Sequence, residues 1–409
     1  MSSVASIPDW LDKQFIEQVL REGEKNDSIQ LKHINVRPAA LPGDGLCSVI
    51  FRITADYYTN KGSDGTICTK SVIVKALPET GSVRDFLAEN EAFSTETEIL
   101  CRSIPAFHRL LNTSTSERRV CLAPKCYYHA DKPHQKLVME DLCQSGFKMV
   151  ESTLPLDLDH SKLAISHLGM FHAASVALHR QDPHSLDNFL LYPHLKSGDS
   201  TTKFLQHRLD NIAENLHESH RKYSEKLCHL GETAFHRLEK VVQRDNDGFN
   251  VLNHGDARKN NMMFRYDEDG HVSDVIFVDF QYAYYGSPAI DLLYFLYSSP
   301  SSEVRNNHYE ELLECYHSSL LKTLNKLGCG EQCPSLDEIR VDIEKKGFMG
   351  VFSAVLVLPT NFVDSEHIPD LDAMLDEQGK KDSDSHMTEG YFKEIINILP
   401  IFDEKCLLD

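Results

Sequence analysis

The stretch from Val251 to Tyr297 constrains the fold of this chain more than any other part of the sequence. Met262 to Tyr266 is short, apolar and strand-like, and residues 267–270 (Asp-Glu-Asp-Gly) have the composition of a turn. Val275 to Phe280 is again strand-like. Two short strands joined by a turn of this kind predict a β-hairpin.

The predicted hairpin brings three polar residues together at its open end. Asn261 precedes the first strand, Asp279 lies at the end of the second, and Asp256 lies on the loop just upstream. Because the outer ends of the two strands of a hairpin are neighbours, we expect an amide and two carboxylates at one mouth of the protein.

These residue types in this order are those that phosphoryl transfer requires. One carboxylate orients the attacking hydroxyl group, while a carboxylate and an amide oxygen hold Mg²⁺ against the nucleotide phosphates. Asp256 and Asn261 have the D-x-x-x-x-N interval of the protein-kinase catalytic loop, and Asp279-Phe280-Gln281 stands where D-F-G would follow. Any one of them alone would be an ordinary polar loop residue. Together they predict Asp256 as the catalytic residue and Asn261 and Asp279 as Mg²⁺ ligands, with ATP as the second cofactor.

Four neighbouring motifs carry a family resemblance: His254-Gly255-Asp256, Asn260 to Phe264, Val278 to Gln281, and Gly286 to Leu293. With these motifs the sequence resembles the ecdysteroid kinase-like family of insects. That family is a CHK kinase-like group on the choline kinase and aminoglycoside phosphotransferase branch of the protein-kinase-like fold. In one departure, Ala257-Arg258 stands where the family commonly has a large apolar pair. We expect this difference to change the wall of the acceptor pocket.

The resemblance implies an α+β, bilobal protein-kinase-like fold. A small β-rich lobe that binds the nucleotide would occupy residues 1–142. A larger, mainly helical lobe with the catalytic and acceptor sites would occupy residues 143–409.

Lys75 lies in an apolar stretch, Ile67 to Leu77, that is predicted to be a strand. A lysine there is costly to bury unless it is paired, and a solvated lysine on an edge strand is the alternative. The stretch follows a turn that contains Gly43 and Gly45, with Ser48 just after it. Kinase-like folds cover the phosphates with such a turn and then contact them with a lysine. Lys75 is therefore predicted to bind the nucleotide. The two glycines and the serine are also predicted to bind the nucleotide, because they loosely match the glycine-containing turn of the family.

A predicted helix from Ser82 to Cys101 supplies a partner for this lysine. Phe93, Glu96 and Leu100 lie near one face of it at three- and four-residue steps. The resemblance of this pattern to the family, ending at Pro105, implies that Glu96 pairs with Lys75. Glu89, two turns earlier on a similar face, is the alternative.

Further roles are implied by the resemblance alone. The run from Leu137 to Leu142 resembles the hinge of kinase-like folds, where the backbone of Glu140 and Leu142 would bind adenine. Asp291 would brace the catalytic loop through backbone donors, and His254 would shape that loop rather than titrate.

Helices are predicted to begin at Ser6-Ile7-Pro8-Asp9 near the start of the chain and to fill its second half. In that half they are expected over Asp159 to Leu178, Phe204 to Gln243 (two helices), Glu303 to Leu327, Leu336 to Val357 and Glu389 to Leu399.

The charge balance argues against two classes of partner. The net charge of −20 is unlike the basic footprint that nucleic acids and anionic membranes need. The first residues lack the charged and apolar regions of a signal peptide, and the longest apolar run is too short to span a bilayer. The 11 cysteines show no zinc or disulfide framework. The sequence therefore predicts a cytoplasmic protein with free thiols and without membrane insertion.

The predicted function is transfer of a phosphoryl group from ATP to a hydroxyl of a small molecule. The resemblance implies an ecdysteroid or a similar hydroxylated lipid or xenobiotic as the acceptor. Two alternatives stay open: a choline or amino-alcohol kinase, and a pseudokinase-like protein that binds a ligand without chemistry. The oligomeric state is left open.

Overall fold

The computed structural model describes most of the chain. The residues described are 7–39, 49–59, 66–77, 84, 91–112, 119–132, 134–151, 154–196, 198–362 and 387–409.

A five-stranded antiparallel sheet forms the first third of the protein. Its strands are β1 (Gln30–Pro38), β2 (Val49–Tyr58), β3 (Ile67–Ala76), β4 (Cys126–Ala130) and β5 (Lys136–Glu140), in the spatial order β1-β2-β3-β5-β4. The strand β3 is thus central, and Lys75 pairs with Ile50 on one side and Leu137 on the other. The alternative of a solvated lysine on an edge strand is wrong.

Alternation along β3 sends its residues to two different cores. Val72 and Val74 pack with helix α1 (Lys13–Glu24) on one face. Ile73 faces the larger core on the other side, and because side chains alternate along a strand, Lys75 points the same way.

Two helical segments pack on the second face of the sheet. They are α2 (Ala92–Glu98) and α3 (Ile104–Leu111), joined by a π-helical turn (Ile99–Ser103). The predicted end of the helix at Cys101 is therefore wrong, because the chain stays helical to Leu111. The π-turn restarts the hydrogen-bond ladder, so Pro105 lies in a first helical turn, where its missing N–H is not needed.

Five short strands form two smaller sheets after residue 147. They are β6 (Lys148–Met149), β7 (Val251–Asn253), β8 (Met262–Tyr266), β9 (Val272–Phe277) and β10 (Tyr284–Gly286). The predicted hairpin is confirmed as the antiparallel pair β8–β9, which β6 extends, while β7 pairs with β10. The second strand of the hairpin ends at Phe277, three residues earlier than predicted, because Asp279 has a left-handed backbone with φ 66°.

The rest of the chain is mainly helical. The α-helices are α4 (Leu158–Gln181), α5 (Gly198–Asn215), α6 (Lys222–Val242), α7 (Ala289–Ser298), α8 (Ser302–Asn307), α9 (Tyr309–Lys326), α10 (Leu336–Lys345), α11 (Phe348–Phe352) and α12 (Glu389–Glu404). A π-helical turn covers Ser353–Val357. Short 3₁₀ helices cover Leu142–Ser145, Asp187–Phe189, Pro193–Leu195, Glu218–His220, Lys259–Asn261, Gly330–Gln332 and Leu358–Phe362.

The predicted α+β class is confirmed, with a sheet-rich N-terminal region followed by a mostly helical remainder. The five-stranded sheet ends at Glu140, and the division into lobes at residue 142 stays a prediction. Among the helices of the described residues, none has both the length and the apolar character needed to cross a membrane.

Two features near the N-terminus differ from the prediction. Helix α1 begins at Lys13, not at Pro8, because the carboxylate of Asp12 accepts the Phe15 N–H at 2.8 Å and caps the helix. Strand β1 was not predicted at all. It is an edge strand with one buried residue, Leu31, so its sequence lacks the apolar alternation that marks a strand.

A buried carboxylate joins the sheet to the segment that follows it. Asp141 is 3% exposed, and its oxygens accept hydrogen bonds from Arg52 Nε at 2.8 Å and Ser71 Oγ at 2.6 Å. The backbone N–H of Cys143 donates to the same group at 3.2 Å. Strands β2 and β3 are thereby tied to the end of β5.

We expect Asp141→Ala to lower the free energy of unfolding by about 2–4 kcal/mol, since it leaves the Arg52 charge partly buried without its partner. Urea unfolding measures the loss. Asp337→Ala is the matched control, because Asp337 also pairs with an arginine, at 2.7 Å, but its side chain is 88% exposed. The control should lose less than about 1 kcal/mol. Equal losses in the two variants would contradict the role given to the buried network.

Candidate active site

The polar residues that were predicted at the open end of the hairpin lie there, beside the outer ends of β8 and β9. The backbone N–H of Val278 donates to the carbonyl oxygen of Asn261 at 2.9 Å, so the residues flanking the two strands are neighbours. Asn261 ends a short 3₁₀ turn that follows the His-Gly-Asp loop. Asp256, Asn261 and Asp279 therefore lie on adjoining segments of backbone.

The His-Gly-Asp loop is held by a fully buried carboxylate. Asp291, on α7, accepts the backbone N–H of His254 at 2.6 Å and that of Gly255 at 2.9 Å. Its second support is His172 on α4, whose Nε2 lies 3.2 Å away and whose Nδ1 contacts the Tyr316 hydroxyl at 2.8 Å. Burial lowers the pKa of His172, although Asp291 acts in the opposite direction. Asp291 thus makes the backbone contacts that the sequence implied for it.

The side chain of His254 supports the loop from inside. Its Nε2 lies 3.0 Å from the Val278 carbonyl oxygen, and its Nδ1 accepts the Asp256 N–H at 3.3 Å. A carbonyl oxygen can only accept and a backbone N–H can only donate, so the neutral Nε2–H tautomer satisfies both contacts. The geometry agrees with the expectation that His254 shapes the loop.

Gly255 is required by the path of the loop. It has φ +80°, and a Cβ atom placed there would lie 1.8 Å from the carbonyl oxygen of Tyr282. Any side chain would therefore push the loop away from the segment that follows Asp279.

Asp256 is nearly buried and is surrounded by donors. The Tyr294 hydroxyl donates to its Oδ1 at 2.5 Å, and the Asn261 amide donates to its Oδ2 at 2.6 Å. Arg258 Nε lies 3.3 Å from Oδ1. Burial by itself would raise the pKa of Asp256, but the charge of Arg258 and these hydrogen bonds outweigh it, and the pKa lies below its ordinary value. Asp256 is therefore an anion at neutral pH.

Lys75 bridges two carboxylates. Its Nζ lies 2.6 Å from Glu96 on α2 and 2.7 Å from Asp279. Burial would lower the pKa of Lys75, but Asp279 and Glu96 overcome this effect and raise it, so the ammonium stays charged. The predicted ion pair with Glu96 is present, whereas the role of Lys75 toward a nucleotide stays a prediction.

Asp279 is held in its left-handed conformation by its neighbour. Phe280 is fully buried, its ring centroid lies 4.6 Å from that of His254, and its backbone N–H donates to Glu96. A non-glycine residue with positive φ is uncommon, and such residues concentrate at functional sites. The side chain of Asp279 keeps 29% of its surface exposed, so it stays accessible to a ligand.

The remaining donor atoms fit a magnesium ion. The Oδ1 atom of Asp279 contacts Lys75, while Oδ2 has a long contact of 3.5 Å from Gln281. The amide nitrogen of Asn261 is committed to Asp256, which leaves its amide oxygen to accept. One carboxylate oxygen and one amide oxygen are hard ligands of the kind that Mg²⁺ prefers.

Other predicted site residues have different outcomes. Gly43, Gly45, Ser48 and Glu89 lie outside the described residues. Glu140 ends β5, and its N–H donates to the Lys125 carbonyl oxygen at 2.9 Å, while its backbone contact with adenine stays a prediction.

Leu142 begins the 3₁₀ helix that follows β5. N–H groups in a first turn have no partner inside their own helix, which suits the proposed backbone contact.

The sequence reasoning missed two side chains beside Asp256. Tyr294 could have been found, because it lies three residues after Asp291 and therefore on the same face of a helix. His194 lies in a 3₁₀ turn 60 residues before His254, where the loop motif begins, and the sequence carries no signal for it. Its ring stacks on Tyr282 at 4.7 Å with an interplanar angle of 5°.

The sequence matches the model of one protein family over residues 42–329, and that family is described as the ecdysteroid kinase-like family. No curated protein matches the chain.

Three solved structures are similar to this chain at low sequence identity. A choline kinase from Cryptosporidium parvum Iowa II has 13% identity and a TM-score of 0.44, over 95% of this chain and 97% of that one. A microcompartment-associated aminopropanol kinase has 14% identity and a TM-score of 0.39, over 95% and 98%. An aminoglycoside phosphotransferase from Alicyclobacillus acidocaldarius has 11% identity and a TM-score of 0.38, over 97% and 98%.

The partly buried position of His194 makes the stability of this site depend on pH. Burial lowers the pKa of His194 from 6.5 to about 4, against a smaller opposing effect of Asp256. Between these two values the unfolded chain binds a proton that the folded protein does not. The free energy of unfolding should therefore fall as the pH falls from 6.5 to about 4, by up to about 3 kcal/mol from this residue.

His194→Phe tests this dependence, because phenylalanine keeps the stack on Tyr282 but cannot titrate. Urea unfolding of both proteins at several pH values between 4 and 7.5 gives the difference in stability. We expect the free energy of unfolding of the variant to rise relative to that of the wild type as the pH falls. A difference that stays constant across this range would show that His194 titrates normally.

Proposed function

The chain belongs to the ecdysteroid kinase-like family, and on this premise we propose that it transfers the terminal phosphoryl group of ATP to a hydroxyl of a small molecule. The observation that carries the proposal is one connected set of side chains. Lys75 joins Glu96 to Asp279 at 2.6 and 2.7 Å, and Asn261 joins the same hairpin end to Asp256 at 2.6 Å.

Each of these residues has a separate proposed task. Lys75, held by Glu96, would bind the α- and β-phosphates. The carboxylate of Asp279 and the amide oxygen of Asn261 would hold Mg²⁺. When bound, ATP and Mg²⁺ would supply the transferable phosphoryl group and the charge that neutralises it. Asp256 would accept a hydrogen bond from the acceptor hydroxyl, orient it and later take its proton.

Five other residues complete the proposed nucleotide site. Gly43, Gly45 and Ser48 would cover the phosphates, as the sequence predicted. The backbone of Glu140 and Leu142 would bind adenine at the end of the five-stranded sheet.

We propose an ecdysteroid or a similar hydroxylated lipid or xenobiotic as the acceptor. Aromatic groups near Asp256 support a large apolar acceptor. His194 and Tyr282 are both partly exposed and stack on each other at 4.7 Å. Such rings offer wide apolar surfaces that can contact a steroid skeleton.

Two other functions compete with this proposal. The acidic net charge of −20 favours a cationic acceptor such as an amino alcohol. A ligand-binding protein without chemistry would not need the complete set of Lys75, Asp256 and Asp279, so their joint presence favours an enzyme.

Incubation of the purified chain with ATP, Mg²⁺ and a panel of hydroxylated compounds tests the proposal. The panel should contain ecdysteroids, other sterols, choline and amino alcohols, with mass spectrometry to detect the gain of a phosphate. A phosphorylated product identifies the acceptor class. Mg²⁺-dependent ATP binding without any product would favour the ligand-binding alternative.

Asp256→Asn should lower turnover by roughly 10²–10⁴-fold, the usual range for loss of a positioned general base. The amide keeps the size of the side chain but loses its charge and basicity, and nucleotide affinity should change little. Single-turnover phosphorylation and calorimetry with an ATP analogue measure the two effects. Loss of nucleotide binding would instead place Asp256 at the metal.

Asp279→Asn should abolish turnover and weaken the binding of nucleotide in the presence of Mg²⁺, because one hard anionic ligand is lost. Calorimetry with and without Mg²⁺ separates the metal effect from direct nucleotide contacts. Asp274→Asn is the matched control, since Asp274 lies on the same hairpin and pairs with Arg265 at 2.7 Å. Substantial activity of Asp279→Asn at ordinary Mg²⁺ concentrations would refute the metal assignment.

A further inference from the structure

Arg258 carries a positive charge into the catalytic loop, two residues after Asp256. Its Nε lies 3.3 Å from Asp256 Oδ1, and its Nη1 donates to the Thr360 hydroxyl at 2.9 Å. The guanidinium is thus held from two directions, and 20% of the side chain remains exposed.

The contact between Arg258 and Asp256 sets an upper limit on the distance between a bound acceptor hydroxyl and the positive charge of Arg258. A hydroxyl that bonds Asp256 Oδ1 at the usual hydrogen-bond distance must lie within about 6 Å of Arg258 Nε, since that nitrogen is itself 3.3 Å from Oδ1. A carboxylate offers about four acceptor positions. Tyr294 and Asn261 each donate a hydrogen bond to this carboxylate, and Arg258 lies at ion-pair distance from it, so positions remain for an incoming O–H group.

A second cation on the same loop adds to the positive field. Lys259 is 2% exposed, and its Nζ donates to the Leu154 carbonyl oxygen at 2.8 Å. Burial, and then the nearby charge of Arg258, lower the pKa of Lys259 to about 8. Lys259 therefore adds a second basic residue to the loop, while Arg258 is the basic residue that contacts the carboxylate of Asp256.

We propose that Arg258 is a specificity-determining residue that restricts the acceptor to hydroxyl compounds with no positive charge near the reacting oxygen. The inference rests on the proposed function and narrows its substrate class. Choline and ethanolamine carry their ammonium group two carbons from the hydroxyl. They would bring that charge near the guanidinium whenever the hydroxyl reaches Asp256.

The size of the effect follows from the distance between the charges. The ammonium lies two carbons beyond the hydroxyl, so its separation from the guanidinium is roughly 6–10 Å, and two like charges at that range in a partly buried site change binding by on the order of 10- to 100-fold. The net charge of −20 over the whole chain, and the carboxylate of Asp256 itself, act in the opposite direction and attract cations. Discrimination against a cationic acceptor must therefore come from the guanidinium of Arg258, which lies beside that carboxylate.

A pair of compounds of equal shape isolates the charge. Choline and 3,3-dimethylbutan-1-ol differ in that a quaternary nitrogen replaces a quaternary carbon. Calorimetry on the full chain, with Mg²⁺ and a non-hydrolysable ATP analogue present, gives a dissociation constant for each compound. We expect the wild type to bind the neutral alcohol about 10- to 100-fold more tightly than choline.

Three variants separate the charge from the other properties of Arg258. Arg258→Gln should remove most of this preference, and Arg258→Lys should keep it. Thr360→Val removes the hydrogen bond to the guanidinium but leaves the charge, so the preference should persist. Arg265→Gln removes a surface charge paired with Asp274 and controls for net charge. Thermal unfolding of each variant checks that it remains folded.

A wild-type preference for choline, or a preference that Arg258→Gln leaves unchanged, would overturn the inference. Equal dissociation constants for the two compounds in the wild type and in every variant would also overturn it. The same holds if neither compound binds to any of these proteins. Failure of the proposed function has a different signature. In that case no acceptor gains a phosphate, or nucleotide binding does not depend on Mg²⁺, while the ratio of the two dissociation constants can still be measured.

Discussion

One buried ammonium group connects the sheet, the neighbouring helix and the hairpin. Lys75 comes from the central strand of the sheet, Glu96 from the helix packed on it, and Asp279 from a segment 204 residues further along the chain. An unpaired lysine at 8% side-chain exposure would be strongly unfavourable, because burial removes the water that stabilises its charge. Movement of the helix or of the hairpin end would leave the buried ammonium without one of its carboxylate partners. The three elements are therefore coupled through a single charge.

A second buried carboxylate fixes the loop that holds Asp256. Asp291 is fully buried and accepts two backbone N–H groups and one histidine nitrogen. Such an anion is tolerated where its lone pairs are satisfied, and breaking such a network typically costs about 3–5 kcal/mol. The path of the loop is fixed by these donors and by Gly255, which approaches the Tyr282 carbonyl too closely for any side chain. The position of Asp256 is thus set by residues that need not touch a substrate.

Local pattern and resemblance together predicted the parts of the site that depend on spacing along the chain. The hairpin followed from two apolar runs and a turn, while the choice of Glu96 over Glu89 needed the resemblance. The edge strand β1 was missed because its residues are mainly exposed, and the helix continues past Cys101 through a π-turn that local propensity does not encode. The neighbours of Asp256 show the same limit. Tyr294 follows from helical spacing, whereas His194 and the contact of Arg258 with Thr360 depend on how distant segments pack.

The donors around Asp256 indicate what kind of base it can be. A carboxylate whose pKa lies below its ordinary value is a weak proton acceptor, so early removal of a hydroxyl proton would be unfavourable here. In a largely dissociative phosphoryl transfer the hydroxyl loses its proton late, when the forming bond has made that proton acidic. Under the proposed function, an ionised, hydrogen-bonded Asp256 therefore suits orientation first and proton acceptance second. Tyr294, Asn261 and Arg258 fix the carboxylate in place and keep it charged, and the acceptor positions that remain would receive the acceptor hydroxyl.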